Sequence, residues 1–214
     1  VKQGMKLSWM IGMPCCVGLL MLAKPVMRLL YSSYGADDLN TMAGILRIMS
    51  FAIMFLSVVQ TTTGILQGVG RVIVPVLSLA IGAIFKVIIN YILVGIPAIN
   101  IYGAPIGTIV CYAVAAILNT FMICYITRTK FSFGEIIGKP AISVMAMAFV
   151  LAVMMLALPK YAESRIFALI GVVIGAAVYG MMLVLTGAIT KEDMKIVPGG
   201  ARITALLRRM KIWR

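Results

Sequence analysis

The residues of this chain that could do chemistry are few, and most sit where water is scarce. In the stretch GAIFKVIINY, residues 82–91, Lys86 is the one charge between Val72 and Val94. Arg47 is likewise the one charge between Met42 and Leu66, and Lys24 lies in the apolar stretch from Leu7 to Leu30, with Arg28 near its end. Cations held in a partly desolvated site suit a diphosphate, which accepts charge-assisted hydrogen bonds, and the amides of Asn90, Gln60 and Gln67 suit sugar hydroxyls. General acid and base catalysis lacks its usual carriers. The chain has no His, and its carboxylates (Asp37, Asp38, Glu135, Glu163, Glu192, Asp193) fall in connections or in the tail. No long loop offers room for an active site, so an enzyme is the poor reading. Cys15, Cys16, Cys111 and Cys124 have neither metal-ligand nor redox spacing and read as small packing residues, which predicts no metal and no cofactor.

The elements that must position these residues are membrane spans. Of 214 residues, 63% are hydrophobic and 12% charged, and the mean hydropathy is +1.10. A water-soluble domain could not hide that much oil in one core. Six stretches reach the roughly 20 apolar residues needed to cross a hydrocarbon core: Leu7 to Leu30, Met42 to Leu66, Val72 to Val94, Ala104 to Ile126, Pro140 to Leu158 and Ile166 to Ile189. Alternating ten-residue strands are absent, and a backbone in lipid must satisfy its own hydrogen bonds, so the spans are helices. The predicted fold class is all-α and polytopic. The chain opens at Val1 with no initiator Met and no signal-peptide pattern, which predicts a fragment.

With a rise of about 1.5 Å per residue, Lys86 lies roughly 4 to 5 Å from the middle of its span, Lys24 about 8 Å and Arg47 about 10 Å. The last two can snorkel to the headgroups, whereas the Lys86 ammonium falls short of the boundary. An intramembrane cation needs a ligand, a partner or water around it. Ser78, Gly82, Lys86 and Asn90 recur every fourth residue and form one small and polar stripe. Ser50, Ser57, Gln60, Gly64 and Gln67 line one face of the preceding span, and Thr108, Tyr112 and Asn119 do so on the following one. Such stripes serve either as interhelical hydrogen bonds or as walls of a watery path, and three beside a central lysine favour the path. Glycine pairs at Gly64 and Gly68, Gly103 and Gly107, and Gly171 and Gly175 permit close helix contact, and Pro14, Pro25 and Pro75 mark possible hinges.

Lys and Arg sort by side. If Val1 is cytoplasmic, that side holds Lys2, Lys6, Arg71, Arg128, Lys130, Lys139 and the seven cations of the tail, against Arg28, Lys160 and Arg165 outside. The positive-inside rule then puts both ends in the cytoplasm. The net charge of +13 reads as topology and attraction to anionic membrane lipids, with no nucleic-acid partner. In the tail, Ile203, Leu206, Leu207 and Met210 share one face of a predicted short amphipathic helix on the inner leaflet.

Four stretches, LSWMIGMPCCVGLLMLAKPVMRLLY, TTTGILQGVGRVIVPVLSLAIGAIFKVIINYILV, INIYGAPIGTIVCYAVAAILN and TKEDMKIVPGG, together resemble the C-terminal part of the stage V sporulation protein B and polysaccharide exporter family. That family belongs to the multidrug, oligosaccharidyl-lipid and polysaccharide flippase superfamily, which includes the peptidoglycan lipid II flippase. The resemblance implies two six-helix lobes around a cavity, often with two further helices, that move lipid-linked sugars by alternating access. The six spans would be the ninth to fourteenth of fourteen helices. Residues 1–127 would then hold four helices of the second lobe, 128–190 the two additional helices flanking a groove for a polyprenyl tail, and 191–214 the basic tail. The partner would be a lipid-linked saccharide or peptidoglycan precursor, with Lys86, Arg47 and Lys24 drawing its diphosphate, and a missing N-terminal lobe would complete the transporter in the bacterial cell membrane. The alternative is a cation-coupled multidrug exporter of the same superfamily, which would want carboxylates within the membrane.

Overall fold

The computed structural model describes residues 1–31, 33–128, 133–158 and 164–188. It contains α1 (Lys2–Leu30), α2 (Ala36–Gly68), α3 (Ile73–Val94), a single 3-10 turn (Asn100–Tyr102), α4 (Gly103–Thr127), α5 (Phe133–Ala157) and α6 (Arg165–Leu185). The described residues contain no strand, and all six α-helices are long and apolar enough to cross a membrane. The fold is the all-α, six-span architecture expected.

Helix ends follow local chemistry. At the end of α2 the Arg71 amide donates to the Leu66 carbonyl and the Gly70 amide to the Gln67 carbonyl. Gly70 takes a φ of +77, the left-handed position that a glycine occupies without penalty. Gly187 (φ +60) closes α6 with the same pair of bonds, from Ala188 to Leu183 and from Gly187 to Val184. The Ser164 hydroxyl caps the start of α6 by accepting from the Phe167 amide at 3.1 Å.

Packing orders the helices as a row. α1 lies against α2, α2 against α4, and α4 against α3, while α5 and α6 pair with each other and dock on α1 at the opposite end from α3. Apolar burial adds little between helices in lipid, so close approach and hydrogen bonds must hold them. Glycines supply the approach. Gly82 of α3 lies against the Cys111 carbonyl of α4, Gly107 of α4 against Asn90 and the Lys86 carbonyl, and Gly12 of α1 against Ser57 and Met54 of α2. One buried cluster (Met5, Val58, Val59, Ala115, Ala116) joins α1, α2 and α4. A second (Met10, Leu22, Met147, Leu151, Phe167, Tyr179) joins α1 to α5 and α6.

Several boundaries and motifs differ from expectation. α1 begins at Lys2 instead of Leu7, α2 at Ala36 instead of Met42, and α5 at Phe133 instead of Pro140. Polar residues extend these helices beyond the apolar run, because a helix end that reaches water tolerates charge. Asp37 and Asp38 thus fall in the first turn of α2, where they suit the helix dipole. Pro14 and Pro25 are interior to α1 and Pro140 to α5. Pro75 sits in the first turn of α3, where a missing N–H removes no helical bond, so it marks no hinge. A Cβ at Gly64 or at Gly68 would meet nothing within 4 Å among the described residues, unlike one at the other two glycine pairs. The amphipathic tail helix predicted within residues 191–214 lies outside the described residues.

Candidate functional site

Lys86 stands about 4 Å from the middle of α3, as reckoned from the helix ends. Its side chain is half-buried, and its carbonyl faces Gly107 of α4. No carboxylate occurs on α3, which bears it, or on α4, against which α3 packs; Asp37 and Asp38 are in the first turn of α2, and Glu135 is near the start of α5. One turn on, Asn90 is half-buried, and its Oδ1 is shut from solvent with no hydrogen-bond partner among the described residues. Gly107 makes room for that amide, since a Cβ there would collide with Asn90 Oδ1 and press on the Lys86 carbonyl at 3.1 Å. The N-terminal part of the same stripe serves the helix pair. Ser78 and Gly82 are buried, and Ser78 donates to its own Val74 carbonyl at 3.0 Å.

The stripe on α2 divides in two. Ser57 donates to the Ser8 carbonyl of α1 at 3.0 Å, shared with Met54 at 2.8 Å, and Ser50, fully buried, bonds the Arg47 carbonyl at 2.7 Å. Ser57 thus ties α2 to α1, and the Ser50 hydroxyl meets α1 by accepting from the Cys16 thiol at 3.9 Å. Gln60, Gly64 and Gln67 are exposed along the cytoplasmic-side half predicted for α2. Arg47 is also exposed, about 140° round the helix from Gln60 at 100° per residue, so it faces away from both glutamines. Lys24 is half-buried in α1. On α4, Asn119 is fully buried and donates from Nδ2 to the Thr62 hydroxyl of α2 at 3.2 Å, a joint between helices, while its Oδ1 finds no donor among the described residues.

The six sequence-predicted residues therefore form no single cluster. Lys86 and Asn90 stand together; α4 separates α3 from most of α2, and with it from Arg47, Gln60 and Gln67.

A feature the residue types alone did not reveal lies at the far end of the row. Between α1, α5 and α6 is an apolar cavity of about 370 Å³, whose lining includes Pro14, Leu22, Met147, Leu151, Gly175 and Tyr179. Gly171 and Gly175 open it, with Leu22 reaching within 3.0 Å of where a Gly171 Cβ would stand. The signals for it were the charge-free last spans and the glycine pair, neither specific by itself.

The family model described as lipid II flippase MurJ matches residues 1–196. The chain is also 27% identical over 219 aligned positions to the uncharacterized membrane protein YabM of Bacillus subtilis (strain 168). That alignment covers 98% of this chain and 39% of YabM, so the chain spans about two fifths of the curated relative it matches. The match supports the superfamily resemblance at the level of the lipid II flippase family. With six membrane-crossing helices and a family match over most of its length, the chain belongs to the lipid II flippase MurJ family, a family of multi-pass membrane transporters and not of enzymes.

Proposed function

We propose that this chain is part of a flippase that carries a polyprenyl-diphosphate-linked saccharide, a peptidoglycan precursor in the first instance, across the cytoplasmic membrane by alternating access. The observation that carries the reading is Lys86: a half-buried cation near mid-membrane on a helix pair that has no carboxylate. Its natural complement is an anionic headgroup, and Asn90 beside it suits a sugar or phosphate oxygen. Lys24 and Arg47 would draw the diphosphate from farther out, and Gln60 and Gln67 would meet saccharide on the other side. Residues 1–127 are proposed as part of the second transport lobe and 128–190 as the added helix pair. The docking of α5 and α6 on the flank of α1 supports that division. The apolar cavity between them is then the seat of the polyprenyl tail. Both ends of the segment are proposed to be cytoplasmic, and the rest of the transport path to come from a preceding lobe of the same protein. The alternative, a cation-coupled exporter of the same superfamily, would want carboxylates within the membrane; Asp37 and Asp38 sit exposed at the start of α2.

The test is Lys86→Met in the whole transporter. It should insert at parental levels, since it removes a costly buried charge, and fail to complement a strain depleted of its lipid-precursor flippase. Normal complementation would overturn the assignment of Lys86.

A further inference from the structure

Proline at position 14 has no N–H, so the carbonyl four residues earlier, that of Met10, loses its α-helical donor in the middle of an apolar span. A buried carbonyl without a donor is costly in lipid. The structure supplies one from another helix: the Tyr179 hydroxyl of α6 donates to the Met10 carbonyl at 2.7 Å. Tyr179 is 8% exposed, and its side chain and Pro14 line the same apolar cavity. The residues of α1 that precede Pro14 are also held from the other side, where Ser57 of α2 donates to the Ser8 carbonyl at 3.0 Å. The half of α1 that follows Pro14 carries Lys24 and a second interior proline, Pro25.

We infer that Tyr179 is a positioning residue: its hydroxyl latches α1 at the Pro14 break and so sets where the Lys24-bearing half of α1 stands. Because the ring of Tyr179 walls the cavity while its hydroxyl holds the break, filling the cavity with an apolar chain shifts the ring and changes the bend of α1. The latch rests on geometry alone; its link to transport rests on the flippase reading above. Releasing the latch frees the two halves of α1 to move separately, and α2 holds the first half still through Ser57.

The experiment uses the whole transporter in phosphatidylethanolamine and phosphatidylglycerol vesicles, with the native cysteines replaced by alanine. Spin labels go on Lys2 and Leu30, both exposed and about 42 Å apart along a straight helix. Tyr179→Phe, which keeps the ring, should shift or broaden the label distance and lower the thermal midpoint. Pro14→Ala restores an N–H to the Met10 carbonyl, so in that background Tyr179→Phe should leave the distance unchanged and cost at most half as much in midpoint. A Tyr179→Phe variant that behaves like the parent, or one whose effects are as large in the Pro14→Ala background as in the parent, overturns the latch. Undecaprenyl phosphate in the same vesicles separates the latch from the transport reading. A distance that responds to the lipid in the parent and not in Tyr179→Phe supports the coupling. An unresponsive parent in which the Pro14 cycle still holds counts against the polyprenyl reading while upholding the latch.

Discussion

At the scale of single residues, chemistry here is decided by which polar groups lack partners. Lys86→Arg should retain part of the transport that Lys86→Met abolishes, because the charge persists while its shape changes. The expected loss of headgroup affinity in the Met variant is about 10- to 100-fold, the worth of one charge-assisted hydrogen bond, as measured by titration of the purified transporter with undecaprenyl diphosphate. The Thr62 hydroxyl accepts from Asn119 Nδ2 at 3.2 Å in a fully buried joint. Thr62→Val should therefore cost about 0.5–1.5 kcal/mol of stability, read by steric trapping in bicelles. Adding Asn119→Leu should recover most of that loss, since both partners then become apolar. A double variant less stable than Thr62→Val would show that Asn119 is held by something other than this bond.

At the scale of the helix pair, glycine position separates packing from coincidence. Gly64 and Gly107 read alike in sequence, each one end of a four-residue glycine pair. Only Gly107 meets a neighbour: a Cβ there runs into Asn90 and the α3 backbone, whereas Gly64 has open space around it. Gly107→Ala should push α3 from α4 and destabilise the protein by about 1–3 kcal/mol. Gly64→Ala should change stability by no more than about 1 kcal/mol, in the stabilising direction, since alanine is the better helix former. Apparent melting midpoints of the two variants in detergent would test the contrast, and equal losses would contradict it. The prolines carry the same lesson. Pro75 removes nothing at the start of α3, while Pro14 frees a carbonyl that a tyrosine on another helix must satisfy.

At the scale of the whole molecule, alternating helices and the sorting of Lys and Arg make a topology that labelling can test. A cysteine placed at Asp38 or Ala98 should react with an impermeant maleimide from outside the cell, and one at Arg71 only after permeabilisation; the reverse pattern would invert the orientation. What the sequence determined by itself was the class: apolar runs of spanning length in a chain with so few charges leave helices as the only structure that satisfies the backbone in lipid. It also determined that Lys86 lies near mid-span, because depth along a helix is a count of residues. Contact between helices is not such a count. Three polar stripes that read as walls of one watery path proved to include Ser50, Ser57, Ser78 and Asn119 turned into helix interfaces, while Gln60 and Gln67 stayed exposed. Every face of a membrane helix looks similarly apolar, so periodicity shows that residues share a face without showing what that face meets. Only the tertiary structure decided that α3 packs on α4 and not chiefly on its sequence neighbour α2, and that α6 reaches back to the break in α1. Those choices rest on the close fit of glycines and on a few directed hydrogen bonds between residues as far apart as Met10 and Tyr179, which local sequence cannot encode.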